Sequence, residues 1–241
     1  MCSVKEIINI LGGSKMKIIK PYFVIETPID GESILKHIEM CGRTCYKSED
    51  RITDDSAKEL VASIIKRGHE SVLEHFSISV RIICDRGVSH EIVRHRLASY
   101  SQESTRYCNY SDDKFDNELT FILPCWIDEK YIGTYKNSMQ FNHIIDFDIA
   151  YWLETMLSTE FYYNDLINFY KWTPQQARSI LPHSLKTELV MTANLREWRH
   201  FFKLRCDNAA HPQMREIAIP ILDEFKRLIP IIFDDIQEGR K

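Results

Sequence analysis

The sequence predicts an α+β fold, a mainly antiparallel sheet flanked by helices in a single domain with a helical extension. Three observations predict it. Phe76 to Cys84 and Thr187 to Ala193 alternate apolar and polar side chains with a period of two, which marks half-buried strands. Asp54 to Arg67 and Asn194 to Arg205 repeat their apolar residues at helical spacing. Asp128 to Trp172 is rich in Tyr, Phe, Ile and Leu, has no proline and only one glycine, and reads as mostly helical.

In order, Lys17 to Glu26 is predicted as one strand, ended by Thr27-Pro28 and a turn at Gly31. Ser33 to Cys41 places Ile34, Leu35 and Ile38 on a helical face and should stop at Gly42. In Asp54 to Arg67, Ala57, Leu60, Val61, Ile64 and Ile65 form one stripe between an aspartate cap and Gly68. Gly87 should break the strand that follows, and Val88 to Leu97 reads as a short helix. Its apolar residues do not gather on one face, which suits packing between several partners. The serine-rich run Ala98 to Arg106 is expected to be a loop whose N–H groups, with Ser104 and Arg106, would cradle a phosphate. Leu119 to Trp126 reads as a strand. Thr173-Pro174 opens a helix closed by Pro182, and Pro212 begins a last helix kinked at Pro220. Residues 1–241 are expected to form one domain, with 1–15 as a flexible extension and Met16 as an alternative start.

With 241 residues, 44% hydrophobic and 27% charged, the composition is that of an ordinary globular protein. A formal net charge of -4 argues against a nucleic-acid partner, which would need many neutralised phosphates. No segment suits a membrane span or a signal peptide. The seven cysteines are odd in number and form no CxxC pair, so free thiols in a reducing cytoplasm are expected. No metal site is expected: His90 and His95 diverge on a helix, and His69 and His75 lie six apart. Cys125, in Pro124-Cys125-Trp126, has no basic neighbour to lower its thiol pKa and reads as structural.

Against this acidic background one stretch is strongly basic. Arg94 to Tyr107 holds three arginines, a histidine and three serines. Guanidinium groups are rarely buried without acceptors, so an anion is expected here. On the helix from Asn194, Arg205 falls among Leu195, Trp198, Phe201 and Phe202 at roughly 100° per residue, and there it too requires an anion or polar ligand.

Arg94-His95-Arg96, then Ser104 and Arg106, resembles the signature of the flavin-dependent thymidylate synthases, the ThyX family. Three further segments resemble that family in the same order: His69-Glu70-Ser71-Val72-Leu73-Glu74-His75, the Ala177-Arg178 to Leu181-Pro182 segment, and Asn194-Leu195-Arg196 with Leu204-Arg205. The resemblance implies a homotetramer with active sites at subunit interfaces. It implies FAD as cofactor, dUMP as substrate, 5,10-methylenetetrahydrofolate as carbon donor and NADPH as reductant.

By the same resemblance, dUMP would meet Glu91, Arg94, Gln102, Glu103, Ser104, Thr105, Arg106, Arg178 and Arg205. FAD would meet Ser71, Arg94, His95, Arg96, Gln102, Asn194, Leu195, Arg196 and His200, and His69 would lie beside the flavin and folate. Arg205 is the expected catalytic residue, polarising the uracil ring. Ser104 has no adjacent base in the motif and is expected to orient dUMP instead of attacking it. The sequence departs from the family pattern at four positions: Ser101 stands for Asn, Gln102 for Glu, Glu91 for Gln and His200 for Asn.

Overall fold

The computed structural model describes residues 15–141 and 143–239, so the expected N-terminal extension lies, apart from Lys15, outside the described residues. The class is α+β, as expected. The chain forms two compact units. One holds the described residues up to Pro21, Ile83–Ser89 and Gln102–Glu188. The other holds Tyr22–Ile82, His90–Ser101 and the described residues from Leu189 onward.

The first unit is built on a three-stranded sheet in the order β5-β1-β6. Strand β1 (Met16–Ile19) runs parallel to β5 (Leu119–Ile122), with Met16 opposite Leu119 and Ile19 opposite Ile122. It runs antiparallel to β6 (Gly133–Tyr135). Met16, Ile18, Leu119 and Phe121 are buried in one core with Leu153, Met156, Leu157 and Tyr163 of helix α4 (Phe147–Asn168).

Several expectations for this unit need correction. The single strand Lys17 to Glu26 is two strands in two sheets, divided at Pro21, which has no N–H to continue a ladder. Strand β5 stops at Ile122 because the chain turns, with Ile127 N–H donating to the Pro124 carbonyl at 2.9 Å. Of the long segment expected to be helical, only α4 is α-helix. Before it come a 3₁₀ turn at Glu129–Tyr131, capped by the Asp128 side chain, then β6 and another 3₁₀ turn at Ser138–Phe141. Aromatic richness does not distinguish strand from helix, whereas Asp128 and Gly133 (φ +156°) impose turns locally. The helix expected from Thr173 to Pro182 is one turn, α5 (Pro174–Ala177), followed by the 3₁₀ turn Arg178–Ile180.

The second unit is built on a four-stranded sheet in the order β2-β3-β7-β4. Its strands are β2 (Tyr22–Ile25), β3 (Ser77–Asp85), β7 (Lys186–Asn194) and β4 (Ala98–Gln102). Strands β3 and β7 alternate buried and partly exposed residues as the sequence predicts, with Ile78, Val80, Ile82, Leu189, Met191 and Ala193 inward. Strand β4 overturns the expected loop. As an edge strand it needs only every second side chain to face the protein, so Ser99 and Ser101 stay exposed while Ala98 and Tyr100 are partly covered.

Helix α1 (Gly31–Thr44) starts at an Asp30 cap and runs through Gly42, which is buried against Leu60 and Ile64. Gly31 is therefore no turn. A β-carbon there would sit 2.2 Å from the Leu228 carbonyl oxygen, so hydrogen is the only side chain that fits. Helix α2 (Ser56–Lys66) ends before Gly68 at φ +69°, as predicted. Helix α3 (Arg86–Ile92) begins and ends earlier than expected: Asp85 accepts from Val88 N–H at 2.8 Å, and Gly87 lies in its first turn. Helix α6 (Leu195–Arg205) packs Trp198 and Phe202 on Phe225 of α7 (Pro212–Leu228), with ring centroids 5.2 and 5.3 Å apart. Helix α7 continues through Pro220.

Candidate active site

The Arg-His-Arg motif lies in the turn between α3 and β4. The chain folds back there through Arg94 N–H to the Glu91 carbonyl (3.2 Å) and His95 N–H to the Ile92 carbonyl (3.1 Å). The Tyr100 hydroxyl lies 2.9 Å from the Ile92 carbonyl and 2.7 Å from that of His95, so its one proton ties strand to turn. Burial, with the Glu197 carboxylate nearby, pushes the Tyr100 phenol up to about 12, so it stays a donor. The turn sends alternate side chains opposite ways. His95 is buried, whereas Arg94 and Arg96 are exposed and have no ion-pair partner among the described residues.

Arg205, at the end of α6, is where the predicted need for an anion is met. Its Nε donates to His95 Nε2 at 3.0 Å, its Nη1 to Glu91 Oε2 at 3.0 Å, and its Nη2 to the Glu91 carbonyl at 3.0 Å. Because Nε2 of His95 accepts, the imidazole proton is on Nδ1, 3.2 Å from Glu197 Oε1. Asn194 caps the same helix, its side chain accepting from Glu197 N–H at 2.9 Å, which fixes that carboxylate's backbone. The network therefore runs from Glu197 through neutral His95 to Arg205 and on to Glu91.

Burial lowers the His95 pKa below its ordinary 6.5; Glu197 opposes the shift and Arg205 adds to it. Unfolding would let this imidazole take a proton that the folded site resists. Its effect on stability is therefore absent above the unfolded pKa and appears as pH falls below about 6.5. The urea midpoint is expected to drop across that window, and more steeply than in a His95→Gln variant. Parallel curves for the two proteins would contradict this.

The remaining residues expected at the flavin, apart from Gln102, lie in the same unit. Ser71 and His69 are exposed at the 3₁₀ turn Glu70–His75. Arg196 pairs with Glu74 of that turn at 2.5 Å. His200 is exposed, its ring 5.6 Å from that of His95. The Leu195 side chain is wholly buried and its N–H donates to the Phe76 carbonyl at 3.0 Å, so it anchors the junction of β7 and α6. His95, Glu197 and His200 bring one ligand atom each within 4.8 Å of one another, but the Arg205 guanidinium on His95 opposes a cation there.

The first unit holds the rest. Gln102 donates its amide to Ser89 Oγ (3.0 Å) and Thr187 Oγ1 (3.2 Å), leaving its carbonyl oxygen for other partners. Glu103 accepts from the Tyr110 hydroxyl at 2.6 Å and from Lys186 Nζ at 2.7 Å. Ser104 opens a turn: its carbonyl accepts from the N–H of Tyr107 (3.1 Å) and Cys108 (2.9 Å), and its Oγ accepts from Arg106 N–H at 3.3 Å. Thr105 is buried, while Arg106 is exposed with Nε on Gln175 Oε1 at 2.7 Å. Arg178 is exposed and has no ion-pair partner among the described residues. Cys125 is exposed, and the six described cysteines form no disulfide with one another.

Sequence reasoning missed Arg199. It is 1% exposed, with Nη1 and Nη2 on the two oxygens of Asp235 at 2.6 and 2.7 Å and Nε on Glu70 at 3.1 Å. On the helical wheel that singled out Arg205, Arg199 falls just beyond Leu195 at the edge of the apolar arc, so the periodicity gave no comparable signal. The partners, from Glu70 and Asp235, could not be read from that helix.

Residues 31–231 match the family described as thymidylate synthase complementing protein. The flavin-dependent thymidylate synthase of Pyrococcus furiosus is 34% identical over 192 residues, covering 79% of this chain and 71% of that protein. That of Corynebacterium efficiens is 31% identical over 205 residues, covering 83% and 78%. A crystal structure of thymidylate synthase X from Helicobacter pylori with FAD and dUMP superposes with a TM-score of 0.63 at 22% identity, covering 89% of this chain and 99% of that one, a likeness of fold. No described helix is long and apolar enough to cross a membrane. With the Arg-His-Arg turn, the Arg205 network and these relatives together, the chain belongs to the flavin-dependent thymidylate synthase family.

Proposed function

We propose that the protein converts dUMP to dTMP in the cytoplasm, with FAD as cofactor, 5,10-methylenetetrahydrofolate as carbon donor and NADPH as reductant. The working form is a homotetramer with its active sites at subunit interfaces, and 1–241 acts as one catalytic domain.

The observation that carries this reading is the geometry of Arg205. A guanidinium has five N–H donors, and His95 and Glu91 take three of them, one on each nitrogen. One N–H on each terminal nitrogen remains, a donor for the carbonyl oxygens of a uracil. C5 of uracil is a weak nucleophile, and drawing electron density toward N3 and its carbonyls is what a fixed guanidinium does there. Neutral His95 holds the plane of that group without cancelling its charge.

The donor set also suits the cofactor. The exposed guanidinium groups of Arg94 and Arg96 match a pyrophosphate in charge and fork geometry, and Arg196, Ser71 and Asn194 supply further polar contacts. Bound flavin supplies the hydride chemistry. The chain's own residues bind and orient: Arg106 and Arg178 take the nucleotide phosphate, and Ser104, already an acceptor for Arg106 N–H, holds dUMP in place. No cysteine nucleophile is required.

Protein purified without added cofactor is expected to be yellow, with the two visible bands of oxidised flavin, and to form dTMP from dUMP when given the folate and NADPH. A colourless protein that takes up no FAD and makes no dTMP would end this reading.

A further inference from the structure

Glu91 supplies, in its carboxylate, the only anion directly bonded to Arg205 among the described residues. Its side chain grips that guanidinium at Nη1 while its own carbonyl grips Nη2, both at 3.0 Å. Glu197, the next carboxylate, is separated from Arg205 by the His95 ring. The carboxylate thus serves two separable ends: an acceptor oxygen that fixes the plane of the guanidinium, and a negative charge that partly cancels it.

We propose that Glu91 is a positioning residue that aims Arg205 and, through its charge, restrains the attraction of Arg205 for negative charge at the N3 edge of a pyrimidine. This rests on the reading of Arg205 as the uracil-binding residue. The geometry makes Glu91 act through Arg205: Oε2 is engaged by the guanidinium, so the residue shapes specificity without contacting the base through that atom. An amide in the same place keeps the acceptor and removes the charge, whereas a methyl group removes both.

The test uses flavin-loaded wild-type protein, Glu91→Gln and Glu91→Ala, with dUMP and 5-fluoro-dUMP, whose fluorine makes N3–H more acidic. Binding is read by calorimetry at one pH, alongside kcat and KM for dTMP formation. Glu91→Gln is expected to bind dUMP about three- to tenfold more tightly, the scale of one partly solvated charge near the ligand. Its preference for 5-fluoro-dUMP over dUMP should rise above that of wild type. Glu91→Ala is expected to lose more kcat than Glu91→Gln, because only the amide still holds the guanidinium plane.

A purely structural role would leave the ratio of the two affinities unchanged. If Glu91→Gln binds dUMP no more tightly than wild type and the ratio does not move, the proposal is overturned while the thymidylate reading stands. If wild-type protein neither binds dUMP nor forms dTMP, both are overturned.

Discussion

Arg205→Lys is expected to lower kcat/KM for dTMP formation by about a hundredfold or more, the scale on which a single preorganised donor to developing charge is worth. Lysine keeps the positive charge but not the planar fork. One ammonium cannot serve His95 Nε2, the Glu91 carboxylate and the Glu91 carbonyl while also keeping two further N–H donors for a ligand. The fold should survive, because the Arg205 side chain is 20% exposed at the end of its helix and the apolar side of α6 is filled by Trp198, Phe201 and Phe202. Steady-state kinetics with circular dichroism as a control would decide. Near-normal turnover by Arg205→Lys would show that charge alone suffices and that the held plane of the guanidinium has no catalytic consequence.

Arg199→Ala is expected to cost about 3–5 kcal/mol of stability, the cost of breaking one partner out of a buried ion pair. The guanidinium is 1% exposed and is met by the Asp235 carboxylate, by Glu70 and by the Ile232 carbonyl. It joins α6 to the chain after α7 and to the turn carrying Ser71. Burial alone would raise the Asp235 pKa, but the hydrogen bonds and charge of Arg199 overcome it and hold the carboxyl below its ordinary value. Asp235 is 47% exposed, so solvent screens its share, and Asp235→Asn should cost only about 1 kcal/mol or less. Urea titration of the two variants separates these sizes. Equal, small losses would mean that Arg199 is not the centre of the cluster.

The α+β class, the strands β3 and β7 and the helices α2, α6 and α7 were legible because each carries its own periodicity or stop signal, such as Gly68 after α2 and the Asn194 cap of α6. The misread segments lack such signals. Nothing local to Ala98–Gln102 marks a strand, because serines at an edge look like serines in a loop until a neighbouring strand takes their backbone groups. Asp128 to Phe147 failed for the opposite reason, apolar content without a period. The Arg-His-Arg motif named candidate residues for the site, yet it could not say that its middle residue turns inward while its flanking arginines stay exposed.

By itself, then, the sequence determined the family and which side chains are candidates for its chemistry, since residue type and order along the chain are all that a motif requires. Only the tertiary structure decided how they are paired: that Glu91 and His95 take three of the donors of Arg205, and that Arg199 is satisfied by Glu70 and Asp235. The reason is physical. A hydrogen bond is set by distances of about 3 Å between atoms that here lie 36 to 129 residues apart in the chain, and no local pattern encodes such a meeting.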